Sequence, residues 1–320
     1  MSERAGFPLN PVGAAVDPRD LTGTGLSERW VDDLVERTLA EDLTGGAVLP
    51  GAPDLAVSYD VTSAATVPPG QFGTADLVAR AAGVVAGLPI AARVFTRLAP
   101  GATLTPGAAD GDRVARGDVL LTVRGPVRAL LAAERSALNI ASRASGIATA
   151  TRAWVEAVAG TRAIVLDTRK TTPGLRPLEK YAVRCGGGSN KRMGLYDVAM
   201  IKDNHVAAAG SVAAAVAAVR ERAPRVPVQV EVDVPEQAVE AVEAGADFLL
   251  LDNMSPAQLR RVVELVGDRV ELEATGGLTL DVAREVAETG VHYLSVGALT
   301  HSAPILDLAL DLRAPDPQAD

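Results

Sequence analysis

The stretch "DTRKTTPGLR", residues 167–176, places Arg169, Lys170 and Arg176 directly after the apolar run "AIVL" in a chain whose net charge is −9. Lys191, Arg192, Lys202 and His205 follow, and then the carboxylates Glu231, Asp233, Asp252 and Glu273, each at or near the end of an apolar run. Cations gathered this way suit a polyanion, and guanidinium forks suit carboxylates and phosphates in particular. Carboxylates beside them could hold a divalent metal or steady a developing positive centre. Glu231 and Asp233 lie two apart in "VPVQVEVD", so on a strand they share a face.

Composition limits where such chemistry can act. An acidic chain with 3% aromatic residues lacks the positive surface and stacking rings of a broad nucleic-acid binder, which leaves small anions as ligands. Its single cysteine, Cys185, excludes an internal disulfide framework and a thiolate zinc site; it reads as an inert core thiol in a reducing cytoplasm. The first 25 residues carry no sustained apolar region and read as a disordered Gly/Pro-rich lead. The longest later apolar run, around Val212 to Val219, is far shorter than a membrane span.

The elements that must position these residues fall into two textures. In "SERWVDDLVERTLAEDL", Ser27 caps a helix whose inner face holds Trp30, Leu34 and Leu39. Short β-prone pieces follow ("LAVSYDVT", "TADLVARAAGVVAG", "VLLTVRG"), broken by Pro-Gly and Gly-Asp turns, and predict an α+β open-sandwich domain over residues 26–138. One or two long helices then lead across a boundary near Asn139. From Ala163 six strand signals alternate with five amphipathic helices, which predicts parallel strands joined by right-handed crossovers. A barrel, incomplete or TIM-like, over residues 139–304 is favoured over a doubly wound sheet because nearly every strand ends in polar residues, and barrel sites gather at that rim. The last apolar stretch, "PILDLALDL" at residues 304–312, and the C-terminal segment 305–320 that carries most of it are expected to pack back on the small domain.

At the last two strand ends, "EATGGLT" and "SVGALTH" bring Gly276, Gly277 and Gly297, where late barrel loops and a short helix commonly hold a phosphate. Several neighbours have plainer readings. Arg176 lies beyond a Pro-Gly turn, His205 could orient the Lys202 loop, and His301 could simply cap its helix. His292, inside a strand pattern, reads as a packing histidine, and Glu273 and Asp233 as residues that orient their neighbours.

The motifs "ERSALNIASRASGIATAT", "DTRKTTPGLRPLEKYAVRCGGGSNKRMGLYDVAMIKDNH", "VEVDVPEQAVEAVEAGADFLLLDN" and "EATGGLTLDVAREVAETGVHYLSVGALTHS" together resemble quinolinate phosphoribosyltransferase, from about Trp30 to Leu312. The resemblance implies reaction of quinolinate with phosphoribosyl pyrophosphate, requiring Mg²⁺, to give nicotinate mononucleotide, pyrophosphate and carbon dioxide. By the same resemblance Arg169, Lys191, Arg192 and Lys202 bind quinolinate, and Lys170 reaches between the acid and the donor. Arg135 crosses a homodimer interface into the partner's site, and a higher oligomer remains open. Glu231 and Asp252 hold the ribose hydroxyls and, through substrate and water, the metal; Thr275, Gly276, Gly297 and His301 take the 5-phosphate. Lys170, Glu231 and Asp252 are thus the expected catalytic set.

The chain departs from the family's usual pattern at Lys191, where histidine is general, and at Thr275, where serine is common. Two other readings use the same barrel: a Schiff-base aldolase built on Lys202 or Lys170, and a binding protein without activity. The first needs a lysine isolated in apolar surroundings, and the second predicts lost rim charges.

Overall fold

Val31, Leu34, Val35 and Leu39 recur at the three- and four-residue spacing of one helix face, and all four are buried on α1 (Glu28–Thr44). Ser27 accepts the first backbone bond, from Val31 N at 3.0 Å, while Trp30 is only half-buried. The computed structural model describes residues 18–44 and 60–313, which fall into two units.

Of the described residues, the smaller unit comprises 18–44, 60–150, 177–186 and 303–313. Its lead is folded from residue 18: a turn buries Leu21 and Thr24, and the Thr24 carbonyl accepts from Arg184. The rest of the lead expected to be disordered, residues 1–17, lies outside the described residues. Helix α2 (Val61–Thr66) starts at Asp60, whose carboxylate accepts from Thr62 N at 3.1 Å and Ser63 N at 3.0 Å. The β reading of "LAVSYDVT" therefore fails at its far end, because the cap outweighs the local preference of Val61 and Thr62; its residues 55–59 lie outside the described residues.

Strands β1 (Phe72–Ala79) and β2 (Gly83–Val84), helix α3 (Leu88–Leu98), and strands β3 (Thr103–Pro106), β4 (Arg113–Val114) and β5 (Val119–Pro126) follow. Strand β12 (Leu308–Leu312), from the chain end, completes an antiparallel sheet of order β12-β1-β5-β3. Helix α3 packs on β5 and buries Ile90, Val94 and Phe95 completely. Helix α4 (Val127–Ala157) runs unbroken through residue 139, and the two units divide within it, between residues 150 and 151.

Helix α5 (Arg176–Cys185), which follows the first strand of the larger unit, belongs to the smaller unit from Pro177 onward. Buried Glu179 accepts from Arg143 at 2.8 Å, and the Tyr181 hydroxyl donates to Asp110 at 2.7 Å. The Asp110 carboxylate also accepts from Gly87 N and Leu88 N at 2.7 and 3.0 Å. Burial raises the Asp110 carboxyl and the free Cys185 thiol above their usual ranges, which suits a core thiol with no chemistry.

The larger unit, residues 151–176 and 187–302, holds six parallel strands: β6 (Ile164–Leu166), β7 (Ala199–Ile201), β8 (Val228–Val232), β9 (Phe248–Asp252), β10 (Glu271–Thr275) and β11 (Tyr293–Ser295). Helices α6 (Asp203–Ala209), α7 (Val212–Arg222), α8 (Pro235–Glu243), α9 (Pro256–Val266), α10 (Ala283–Ala287) and α11 (Ala298–His301) lie between or after them. The order β6-β11-β10-β9-β8-β7 makes the first and second strands the two edges. Leu166 of β6 and Phe248 of β9, three places apart in that order, share a buried cluster with Tyr293, so the sheet curls on itself. The result is an incomplete barrel open between β6 and β7. Ser189 makes a single parallel bridge to Leu166 along the open edge. Among the described residues no helix is long and apolar enough to cross a membrane.

Candidate active site

Parallel register fixes which side chains meet at the rim. Glu231, Leu250 and Glu273 stand level on β8, β9 and β10, and Asp252, Thr275 and Ser295 stand level one step further toward the strand ends. All six face the inside of the curl, because residues two apart on a strand share a side. Above them lies a cavity of about 650 Å³, within the range of small-molecule sites.

The cavity gathers Arg169, Lys170, Lys191, Arg192 and Lys202 against Glu231 and Asp252, with Thr275, Gly276, Gly297 and His301 on its later side. Every expected site residue therefore lines it except Arg135, which is exposed on α4 in the smaller unit. Five cations face two carboxylates here in a chain that is acidic overall, so the local field favours a polyanion.

Each cation is held by a specific part of the chain. The Lys202 ammonium meets Glu231 at 2.5 Å, and its backbone N donates to His205 Nδ1 at 3.0 Å, so His205 orients the Lys202 loop. Arg192 donates to Val198 O at 3.0 Å and lies 3.3 Å from Met200 Sδ. Burial, and then the nearby Arg169 charge, pull the Arg192 guanidinium below the ordinary arginine range. Arg169 Nε is buried and has no hydrogen-bond partner, as expected of a donor that waits for an anion. Lys170 is exposed, its loop pinned by Thr300 Oγ1 donating to Lys170 O at 2.8 Å. The Lys191 ammonium is buried against Glu273. Lys191 and Lys202 are thus ion-paired and Lys170 is solvated, so the cavity offers no lysine isolated in apolar surroundings for Schiff-base chemistry.

Arg176 does not line the cavity. Its guanidinium ties two rim loops together, donating to Thr171 Oγ1 at 3.0 Å and to Met193 O at 2.9 Å. Asp233 also stays out: β8 ends at Val232, the alternation stops there, and Asp233 is exposed beside the start of α8. His292 is a packing histidine, its Nδ1 accepting from Leu272 N at 3.0 Å. Glu273 lies beneath the cavity as a partner of Lys191, Ser295 and Gln229.

Two glycines shape the later side of the cavity. Gly276 has φ +86°, and a Cβ there would fall 2.3 Å from Asn253 Oδ1, so only glycine fits. A Cβ on Gly297 would lie 3.1 Å from both His301 Nε2 and Lys170 Cδ, which places that imidazole and that lysine stem on either side of bare backbone. Thr275 Oγ1 donates to Ser295 O at 3.3 Å.

The sequence reading did not identify the apolar wall: Met200, Leu250, Leu278 and Val296 also line the cavity and give a flat ring a surface to lie on. Apolar residues in apolar strands carry no mark of which face they take. For Leu250 the only signal was its place two residues before Asp252. Among the described residues no group of three or more His, Cys, Asp or Glu could hold a metal ion. Glu231 and Asp252 fit a magnesium ion that is bound mainly by substrate phosphates, because Mg²⁺ commonly takes one or two carboxylates, phosphate oxygens and water.

Comparison with known proteins agrees with this geometry. The family model for the quinolinate phosphoribosyl transferase N-terminal domain matches residues 60–145, and that for the C-terminal domain matches residues 147–311. A Mycobacterium leprae (strain TN) protein named nicotinate-nucleotide pyrophosphorylase (carboxylating) is 47% identical over 285 residues, 88% of this chain and 96% of its own. A Bacillus subtilis (strain 168) protein named as a probable enzyme of the same kind is 44% identical over 243 residues, 76% of this chain and 84% of its own. The solved structure of NadC from Streptococcus pyogenes superposes with a TM-score of 0.83 at 40% identity, covering 91% of this chain and 99% of that one. Both halves match in order and close to full length: the chain belongs to the quinolinate phosphoribosyl transferase family.

Proposed function

We propose that this cavity transfers the phosphoribosyl group of phosphoribosyl pyrophosphate to the ring nitrogen of quinolinate, releasing pyrophosphate and carbon dioxide and leaving nicotinate mononucleotide. The observation that carries the reading is the set of five cations around two carboxylates at one barrel rim in a member of this family. Both substrates are polyanions, and both need the positive groups.

Arg169, Arg192 and Lys202 receive the two adjacent carboxylates of the acid, with Lys191 beside them and the Met200 and Leu250 side chains against the ring. The unpartnered Arg169 Nε supports this, since a carboxylate would satisfy it. Lys170 lies between the acid and the donor. Thr275, Gly276, Gly297 and His301 take the 5-phosphate, and Glu231 and Asp252 hold the ribose hydroxyls. In this reading Lys202 exchanges part of its hold on Glu231 for the acid when substrate enters.

The ring nitrogen already carries its lone pair, so no base is required to make the nucleophile. As the bond from the anomeric carbon to pyrophosphate breaks and the bond to nitrogen forms, positive charge develops on the ribose, where the Glu231 and Asp252 carboxylates stabilise it. The new ring cation then stabilises the electron pair left on the adjacent carbon when carbon dioxide departs, and that carbon takes a proton from solvent. Glu231 and Asp252 would hold a Mg²⁺ ion through substrate and water, and that ion would supply charge neutralisation of the pyrophosphate. The site's own contribution is positional and electrostatic.

Arg135, exposed on α4, completes the partner's acid pocket in a homodimer, so that a lone protomer is deficient in one guanidinium. A cytoplasmic enzyme fits the single free, buried cysteine. The test is release of labelled carbon dioxide from carboxyl-labelled quinolinate, dependent on both phosphoribosyl pyrophosphate and Mg²⁺. No release, or faster turnover of nicotinate than of quinolinate, would sink the assignment.

A further inference from the structure

The chain has four lysines, Lys170, Lys180, Lys191 and Lys202, and Lys191 is unlike the other two at the cavity. Its side chain is 7% exposed, whereas that of Lys202 is 44% exposed and Lys170 is open to solvent. Its ammonium contacts Glu273, a residue 1% exposed that does not itself line the cavity. The same carboxylate accepts from Ser295 Oγ and, at 2.6 Å, from Gln229 Nε2. Lysine, serine and amide donors therefore converge on one buried anion. That arrangement holds the pair fixed, because breaking either half would strand a buried charge.

The backbone of the same segment is held as firmly. Lys191 N donates to Asp167 Oδ1 at 2.9 Å and Asn190 Nδ2 donates to Asp167 Oδ2 at 2.6 Å, with Asp167 fully buried just after β6. Lys191 thus joins the end of β6 through its backbone to β10 through its side chain, and Gln229 and Ser295 bring in β8 and β11. These ties converge on Glu273 inside the curl and hold the segment that follows the open edge of β6. The next residue is Arg192, whose guanidinium reaches Val198 O and Met200 on the far side of that opening.

We propose that Lys191 is a positioning residue for Arg192 rather than a ligand of the acid, its charge being taken up by Glu273 in a tie that crosses the inside of the barrel. The proposal rests on the reading of the cavity as the quinolinate site. It makes the acid pocket depend on Arg169, Arg192 and Lys202 for charge, and it gives the lysine in the Asn-Lys-Arg segment a partner that explains it.

Two measurements test this. Acylation of the purified full-length protein with a water-soluble amine reagent, read lysine by lysine by mass spectrometry, needs no variant. Lys191 stays unmodified with or without quinolinate, while Lys170 and Lys202 react in its absence. Reaction of Lys191 at the rate of Lys202, suppressed by quinolinate, overturns the proposal. Kinetics of Lys191→Met, Glu273→Gln and the double variant give the second reading. Each raises KM for quinolinate about tenfold and leaves KM for phosphoribosyl pyrophosphate within about twofold, and the double is no worse than the worse single, as for residues that act as one unit. If Lys191 gripped the acid directly, Glu273→Gln would free its ammonium and leave KM for quinolinate unchanged or lower; that result, or equal rises in both KM values, overturns the proposal. Failure of the parent protein to turn over quinolinate would instead remove the functional reading and leave the labelling result standing.

Discussion

Gly276 allows the sharpest prediction at the scale of single residues. With its left-handed backbone and Asn253 Oδ1 where a Cβ would go, Gly276→Ala must shift the β10 loop. Steady-state kinetics are expected to show KM for phosphoribosyl pyrophosphate raised by about tenfold or more, with a smaller change for quinolinate, because the strain falls on the phosphate side. Equal effects on both substrates would contradict the placement of the phosphate. Residues at strand ends, such as Arg169, Lys202, Glu231 and Asp252, were legible in the sequence because a charged side chain directly after an apolar run has few places to go except a rim. Asp233 was misread for a physical reason: period-two facing holds only while the strand lasts, and β8 stops one residue earlier. Arg176 carried no readable role, since its partners Thr171 and Met193 become neighbours only once two loops fold together.

At the scale of elements, β12 is held to β1 by more than its ladder. Arg313 donates to both Asp76 oxygens at 2.7 and 2.8 Å, and Thr122 of β5 donates to the same carboxylate at 2.6 Å. The Arg313 hydrogen bonds hold the Asp76 carboxyl below its ordinary value of 3.8. A carboxyl lowered in the folded state stabilises above its unfolded value and loses that contribution as pH falls through the folded one. Asp76→Asn is therefore expected to lower the melting temperature by about 2 °C at pH 7, with the difference from the parent shrinking as pH falls toward 3. A deficit that stays constant with pH would show that the ion pair is not its source. Strands β7 to β11 were legible from run length and alternation. Helix α5 was legible as a helix but not as a member of the smaller unit, because an amphipathic face states that it must be covered and not by what. Glu179 with Arg143, Tyr181 with Asp110 and Arg184 with Thr24 decide that, across sequence separations that no local pattern spans.

For the whole molecule the prediction concerns sharing of sites between protomers. Arg135→Ala and Lys202→Ala should each lose most activity, one by removing the guanidinium that the proposed homodimer lends to a partner and the other by removing a cation from the protomer's own cavity. After the two proteins are mixed in equal amounts and allowed to exchange subunits, random pairing makes half the dimers hybrid, each with one complete site, so about a quarter of the parental activity returns. Full activity of Arg135→Ala alone, or no recovery on mixing, refutes the shared site. The order in which the chain visits its two units has a further consequence, during synthesis. The central strand β1 is made early, yet its partner β12 emerges last, and α5 is translated after the first barrel strand. The smaller unit therefore cannot finish folding on the ribosome before the barrel has been translated. A truncation that cuts at the junction between the two family domains, near residue 146, should yield an N-terminal fragment with an open sheet edge and a bias toward aggregation.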